Sequence, residues 1–201
     1  MGSPNTATSL LSRSPDAILS FTATTADSLL PCSKQRLLTH HSLPPLSQFV
    51  SSVFAKCRLP PSVMLISLIY LRRLKTRLPG RARGDFDTPY KLFLAAILVA
   101  SKFGSECGTG LTSTQVARMT GVYTPREVNL MERSFLSLIG YELWVAVEEI
   151  KEFLDEYGEK IEMEVRDVEI EQWWIEECQW PTATTVTAAT AATAATAATA
   201  A

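Results

Sequence analysis

The residue types that do most protein chemistry are few in this sequence and poorly spaced for it. Cys32, Cys57, Cys107 and Cys178 lie far apart without a C-x-x-C pair, and His40 and His41 are the only histidines. Adjacent histidines do not give the i, i+4 geometry of a helical metal site. Neither a zinc site nor a disulfide framework is expected, and the thiols suit a reducing compartment. No Gly-rich phosphate loop and no plausible Cys–His or Ser–His pair is present, so no catalytic residue, metal or cofactor is assigned. One constellation remains. Lys102 closes an apolar run, and Glu132 follows 30 positions later. Should the two emerge side by side near Phe103, Leu136 and Tyr141, they would form a charged grip beside an apolar patch. A partner's backbone amides and carbonyls could then complete the hydrogen bonds. The alternative is a surface ion pair worth about 0–1 kcal/mol.

Positioning such a pair is the task of the stretch DTPYKLFLAAILVASKF, Asp87 to Phe103. Thr88 is a suitable N-cap, and Pro89 suits the first helical position, where a missing N–H costs nothing. Leu92 to Ala100 is apolar on every side of a helical wheel, so other helices must surround it. Lys91 and Lys102 bracket a run too short for a membrane span, which needs about 20 apolar residues. The fold expected is therefore all-α, with this helix at the centre of a bundle.

The neighbouring elements follow from periodicity and punctuation. Leu46, Phe49, Val50, Val53, Phe54 and Cys57 recur at helical steps. Pro60-Pro61 ends that helix and opens the next, VMLISLIYLRRLKTRL, which Pro79-Gly80 stops. Thr112-Ser113-Thr114-Gln115 and Thr124-Pro125-Arg126-Glu127 are capping boxes, and Gly121 suits the left-handed position between their helices. The second of these helices places Val128, Met131, Phe135 and Leu138 on one face and ends at Gly140, with Tyr141 to Trp144 as an extended exit. A last helix is expected from Ala146 to about Tyr157. Residues 1–42, rich in Ser, Thr and Ala, are expected to be mostly disordered, with one or two turns around Asp16–Leu30. The helical box spans 43–145. An acidic extension with Trp173, Trp174 and Trp180 spans 146–180, and a Thr/Ala low-complexity tail occupies 181–201.

The 201 residues, 46% apolar and 20% charged, suit one globular domain with tails. The net charge of -2 hides an asymmetry: 16 Lys+Arg against 8 Asp+Glu up to Val147, and 3 against 13 beyond it. A contact between the two halves, or with a charged partner, is plausible. The basic run Arg72, Arg73, Lys75, Arg77, Arg81 and Arg83 has two readings. It is either a phosphate-binding patch or a solvated helix end whose cations complement the dipole. No secretory signal opens the chain, and the Ser/Thr-rich start only faintly has the composition of a transit peptide.

Taken together, LFLAAILVASKF, a linker, a small helix and EVNLMERSFLSLIGYELWV resemble the cyclin box. The family pattern has an alanine-rich third helix ending in Lys and an aromatic. Its fifth helix bears Met-Glu, then Leu four residues after the Glu and an aromatic nine after it. Lys102-Phe103, Met131-Glu132, Leu136 and Tyr141 stand at those spacings. The resemblance covers about Leu46 to Trp144 and is nearest to the fungal phosphate-pathway (Pcl) cyclins. It implies a five-helix box with flanking helices, and a regulatory subunit in a heterodimer with a cyclin-dependent protein kinase, active in cell-cycle or phosphate signalling. Lys102 and Glu132 would clamp kinase backbone, while Phe103, Leu136 and Tyr141 would pack on the kinase's mobile helix. Catalysis would belong to the partner, with no small-molecule substrate, no membrane association, and residence in nucleus or cytoplasm. The first box helix, SQFVSSVFAKC, lacks the M-R-A-I-L run of many cell-cycle cyclins, so no such substrate groove is expected. No second helical repeat follows Trp144. The competing assignment is a helix-turn-helix DNA-binding regulator built on TSTQVARMTGVYTPREVNLMERSF. Its second helix interleaves Arg126, Asn129 and Arg133 with Glu127 and Glu132, a face better suited to protein than to phosphate.

Overall fold

The computed structural model describes residues 11–12, 15–36, 43–104 and 110–164. Among these, seven helices run in the order α1 (Pro15–Ser28), α2 (Leu46–Cys57), α3 (Pro61–Arg77), α4 (Thr88–Phe103), α5 (Ser113–Thr120), α6 (Pro125–Leu138) and α7 (Val147–Ile161). The chain is all-α apart from two-residue strands, β1 (Leu11–Ser12) and β2 (Met163–Glu164), which pair antiparallel. The Thr/Ala tail and Trp173, Trp174 and Trp180 lie outside the described residues, as do His40, His41, Cys107 and Cys178.

The α4 helix is the hub. Every residue from Phe93 to Ala100 is buried, and α4 touches α1, α2, α3, α5 and α6. Ala95, Ala96 and Ala100 permit this, since short side chains let backbones approach. Its entry differs from the sequence expectation. Asp87, not Thr88, is the capping residue, and it makes no side-chain cap bond. Asp87 instead pairs with Lys91 at 2.8 Å, one turn on. The Thr88 hydroxyl turns back to accept from the Asp85 amide at 2.8 Å.

The other two boundary motifs form as expected. Thr112 accepts from the Gln115 amide while Gln115 accepts from the Thr112 amide, and Gly121 takes φ 66° behind α5. At α6 the Thr124 amide donates to Glu127 at 2.7 Å and its hydroxyl at 2.8 Å. These bonds favour the ionised form and hold the Glu127 carboxyl below its usual range. The α7 helix runs to Ile161, one turn beyond the expected end at Tyr157.

The largest correction concerns the N-terminal region. Residues 15–28 form a four-turn helix, not a disordered tail with isolated turns. Ile18, Leu19, Thr22, Ala23 and Ala26 are buried at helical spacing, on a face that packs against α2, α3, α4 and α7. Composition hid this stripe because Thr and Ala are weak core signals. Thr22 is nevertheless fully buried, and its hydroxyl donates to the Ile18 carbonyl at 2.7 Å, which removes the cost of burying it. The strand-like segment after α1 is tied down as well: the Ser33 amide donates to the Gly84 carbonyl at 2.9 Å, and the Gly84 amide to Pro31 at 3.0 Å. A side chain at Gly84 would meet Cys32 Sγ and Thr88 Cβ at 2.9 Å, so this approach needs glycine.

Between α1, α3 and α7 lies an open cavity of about 230 Å³, lined by Phe21, Leu68, Leu71, Arg72, Phe153 and Tyr157 among others. Two ion pairs join the basic and acidic parts of the sequence within the fold. Arg73 pairs with Glu149, and Arg72 with Glu156 at 3.3 Å, joining basic α3 to acidic α7. Arg77 pairs with Glu142. Half of the basic run is thus ion-paired within the chain, and Lys75, Arg81 and Arg83 stand exposed.

Candidate protein-docking site

Packing of α6 along α4 brings Lys102, in the last turn of α4, to Glu132, near the middle of α6. The Lys102 ammonium lies 2.7 Å from one Glu132 oxygen and 2.8 Å from the other. The Lys side chain is 41% exposed and the Glu side chain 14%. An ammonium carries three donors and a carboxylate about four lone-pair sites. Two donors face Glu132, which leaves the pair able to donate to a carbonyl and accept from an amide of another chain. A lysine ammonium and a glutamate carboxylate so paired hold no nucleophile, and their spare donor and acceptor sites suit hydrogen bonds to a backbone.

Phe103 follows Lys102 in the chain, and Leu136 stands one turn beyond Glu132 on α6. Phe103 is 38% exposed and Tyr141 66%, whereas Leu136 is half-buried against the core. The structure joins Lys102 to Glu132, while Phe103 closes α4, Leu136 lies on α6 and Tyr141 stands in the exit that follows. Two more exposed apolar residues were not foreseen: Leu138 at the end of α6 and Trp144 in the exit, 44% and 61% exposed. The buried stripe of α6 runs through Val128, Phe135 and Ile139, so Leu138 falls off it instead of joining it. For Trp144 the signal was alternation. Leu143 is half-buried, Trp144 exposed and Val145 buried, which is the period of an extended segment.

The exit itself has an unusual support. Gly140 and Tyr141 both take positive φ, 65° and 57°, so α6 ends in a left-handed turn. The carbonyls beyond it have no helix to bond to. Instead, three residues on one face of α3 donate to them. Tyr70 Oη donates to the Leu143 carbonyl at 2.8 Å. Arg73 donates to the carbonyls of Glu142 at 2.7 Å and Trp144 at 2.6 Å. Arg77 donates to the Ile139 carbonyl. Burial pushes the Tyr70 phenol far above its usual range, so it remains a donor at all physiological pH.

The face between α5 and α6, which a helix-turn-helix would use, is differently disposed. Asn129, one of its few amides, is taken by the Ser113 hydroxyl at 2.6 Å, and Leu130 is 65% exposed. Among the described residues no group of three or more His, Cys, Asp or Glu could hold a metal. No described helix is long and apolar enough to cross a membrane.

A bundle of five helices with a central alanine-rich member, flanked by α1 and α7, is the architecture of a cyclin box. The family model "Cyclin, N-terminal domain" matches residues 19–144, so the chain belongs to the cyclin family. Among curated relatives, PHO85 cyclin-1 of Saccharomyces cerevisiae is 31% identical over 109 residues, covering 54% of this chain and 38% of that protein. PHO85 cyclin-2 of the same yeast is 21% identical over 135 residues, covering 66% and 44%. Cyclin-U4-1 of Arabidopsis thaliana is 26% identical over 113 residues, covering 54% of each. The chain therefore spans between about two fifths and just over half of the length of these relatives.

Proposed function

We propose that this chain is the regulatory subunit of a cyclin-dependent protein kinase, itself without catalytic activity. The observation that carries the proposal is the Lys102–Glu132 pair, 2.7 Å apart, with exposed Phe103 next to Lys102 in the chain and exposed Tyr141 in the segment after α6. The pair grips the backbone beside the kinase's mobile regulatory helix, and Phe103, Leu136 and Tyr141 pack on that helix. The helix then holds its Glu against the phosphate-binding Lys, and the metal-binding Asp is aligned for phosphoryl transfer. Similarity to the PHO85 cyclins supports PHO85-type kinases as the partner and phosphate signalling or cell-cycle control as the setting. The heterodimer would act in the nucleus or the cytoplasm.

A mixture of the purified chain with purified PHO85 kinase tests this. Retention of the kinase on the immobilised chain at near one-to-one stoichiometry, with increased phosphorylation of a peptide substrate, is expected. Absence of retention, with steeply salt-sensitive binding to duplex DNA instead, would favour the helix-turn-helix assignment.

A further inference from the structure

We infer that Tyr70, Arg73 and Arg77 of α3, with Glu149 of α7, are positioning residues that hold the segment after α6 in its docking conformation. This inference rests on the kinase-docking proposal for the same face. Three features support it. Beyond the turn in which the Tyr141 amide donates to Leu136 and the Glu142 amide to Ile139, the segment is neither helix nor strand, yet the carbonyls of Ile139, Glu142, Leu143 and Trp144 all accept from side chains of α3. The donors sit at intervals of three and four residues, which is one face of a helix. Between the pinned carbonyls stands Tyr141, whose positive φ of 57° is one that non-glycine residues seldom hold unaided. Its ring is thereby held outward, 66% exposed, at low entropy cost for a partner to engage.

Glu149 completes the frame. Arg73 donates to its carboxylate through Nε at 3.0 Å and also through Nη2, so three nitrogens of one planar guanidinium are fixed at once. A planar fork serves this task, and a lysine point charge could not reach two carbonyls and a carboxylate together. Glu149 lies in α7, beyond the residues 19–144 matched by the family model. A helix outside the box therefore governs the presentation of a residue inside it. Gly140 fits the same frame, since a Cβ there would run into the Arg77 guanidinium.

A double-mutant cycle in the full chain reads this out, with PHO85 kinase as the probe. Arg73→Gln is expected to weaken kinase binding about tenfold with helical content unchanged, and Arg73→Lys to recover only part of the loss. Combined with Tyr141→Ala, Arg73→Gln should add little, because an unheld ring has nothing left to lose. Glu149→Gln should show the same non-additivity at smaller size. Should Arg73→Gln fail to fold, Tyr70→Phe removes a single hydroxyl and should still speed hydrogen exchange at the amides of Leu143 to Val145 in the free chain. Full affinity in folded Arg73→Gln, strictly additive losses, or wild-type exchange in Tyr70→Phe would each overturn the inference. Failure of the wild-type chain to bind kinase would instead defeat the docking proposal, leaving the exchange measurement to judge the frame.

Discussion

Replacing both Lys102 and Glu132 with alanine should abolish measurable retention of the kinase while leaving the fold intact. Within the chain the pair contributes little. Lys102 is 41% exposed, and such pairs are worth about 0–1 kcal/mol to stability. In the proposed complex the same groups would be desolvated and bonded to a partner's backbone. Removing one member of such a set costs about 2–5 kcal/mol, or roughly 30- to several-thousand-fold in affinity. The single Lys102→Ala variant should already show the lower figure. A thermal melt within a few degrees of wild type, beside lost binding, would establish docking as the role of the pair. The charge-swapped Lys102→Glu with Glu132→Lys sharpens the test. Mere attraction between the two is restored by the swap, whereas a partner's carbonyl and amide are not. The swapped chain should therefore fold and still fail to bind; recovered binding would reduce the pair to a structural bridge.

The second large effect concerns stability. Phe93 is fully buried in the second turn of α4 and lies edge-on to Phe49 at 6.3 Å. Truncation to alanine removes the ring and leaves a cavity at the hub, where surrounding helices are already in contact and collapse little. The expected loss is about 3–5 kcal/mol. Domains of this size are stable by only about 5–15 kcal/mol, so the urea midpoint should fall by a large fraction, and the melting temperature by about 10 °C. Phe93→Leu keeps most of the volume and should lose much less. A drop below about 1 kcal/mol in Phe93→Ala would mean that α4 is not the centre of the core.

The parts of the molecule visible in its sequence are those encoded locally. The apolar run of α4, the two capping boxes, Gly121 and the Pro60-Pro61 break each specify their own neighbourhood, and their helices appear where they point. The Lys102–Glu132 pair required one tertiary assumption, the contact of α4 with α6, and family spacing supplied it. What escaped needed partners distant in the chain. The face of α1 consists of Ile18, Leu19, Thr22, Ala23 and Ala26, and it reads as core only against α2, α3, α4 and α7. Arg72, Arg73 and Arg77 looked like a solvated helix end or a phosphate patch. Their acceptors, Glu142, Glu149, Glu156 and a row of carbonyls, lie 62 to 84 positions away. Leu138 was placed inward because a three-residue step from Phe135 fits a helical stripe as well as the four-residue step that leads to buried Ile139.

Site-specific photo-crosslinking tests the central claim most directly. A photoreactive residue in place of Tyr141 samples the docking face, and one in place of Thr24 samples the cavity between α1, α3 and α7. With PHO85 kinase present, position 141 should capture the kinase at its mobile regulatory helix, while position 24 captures none. Efficient capture from position 24 with none from position 141 would show that the kinase sits elsewhere and contradict the assignment of this face.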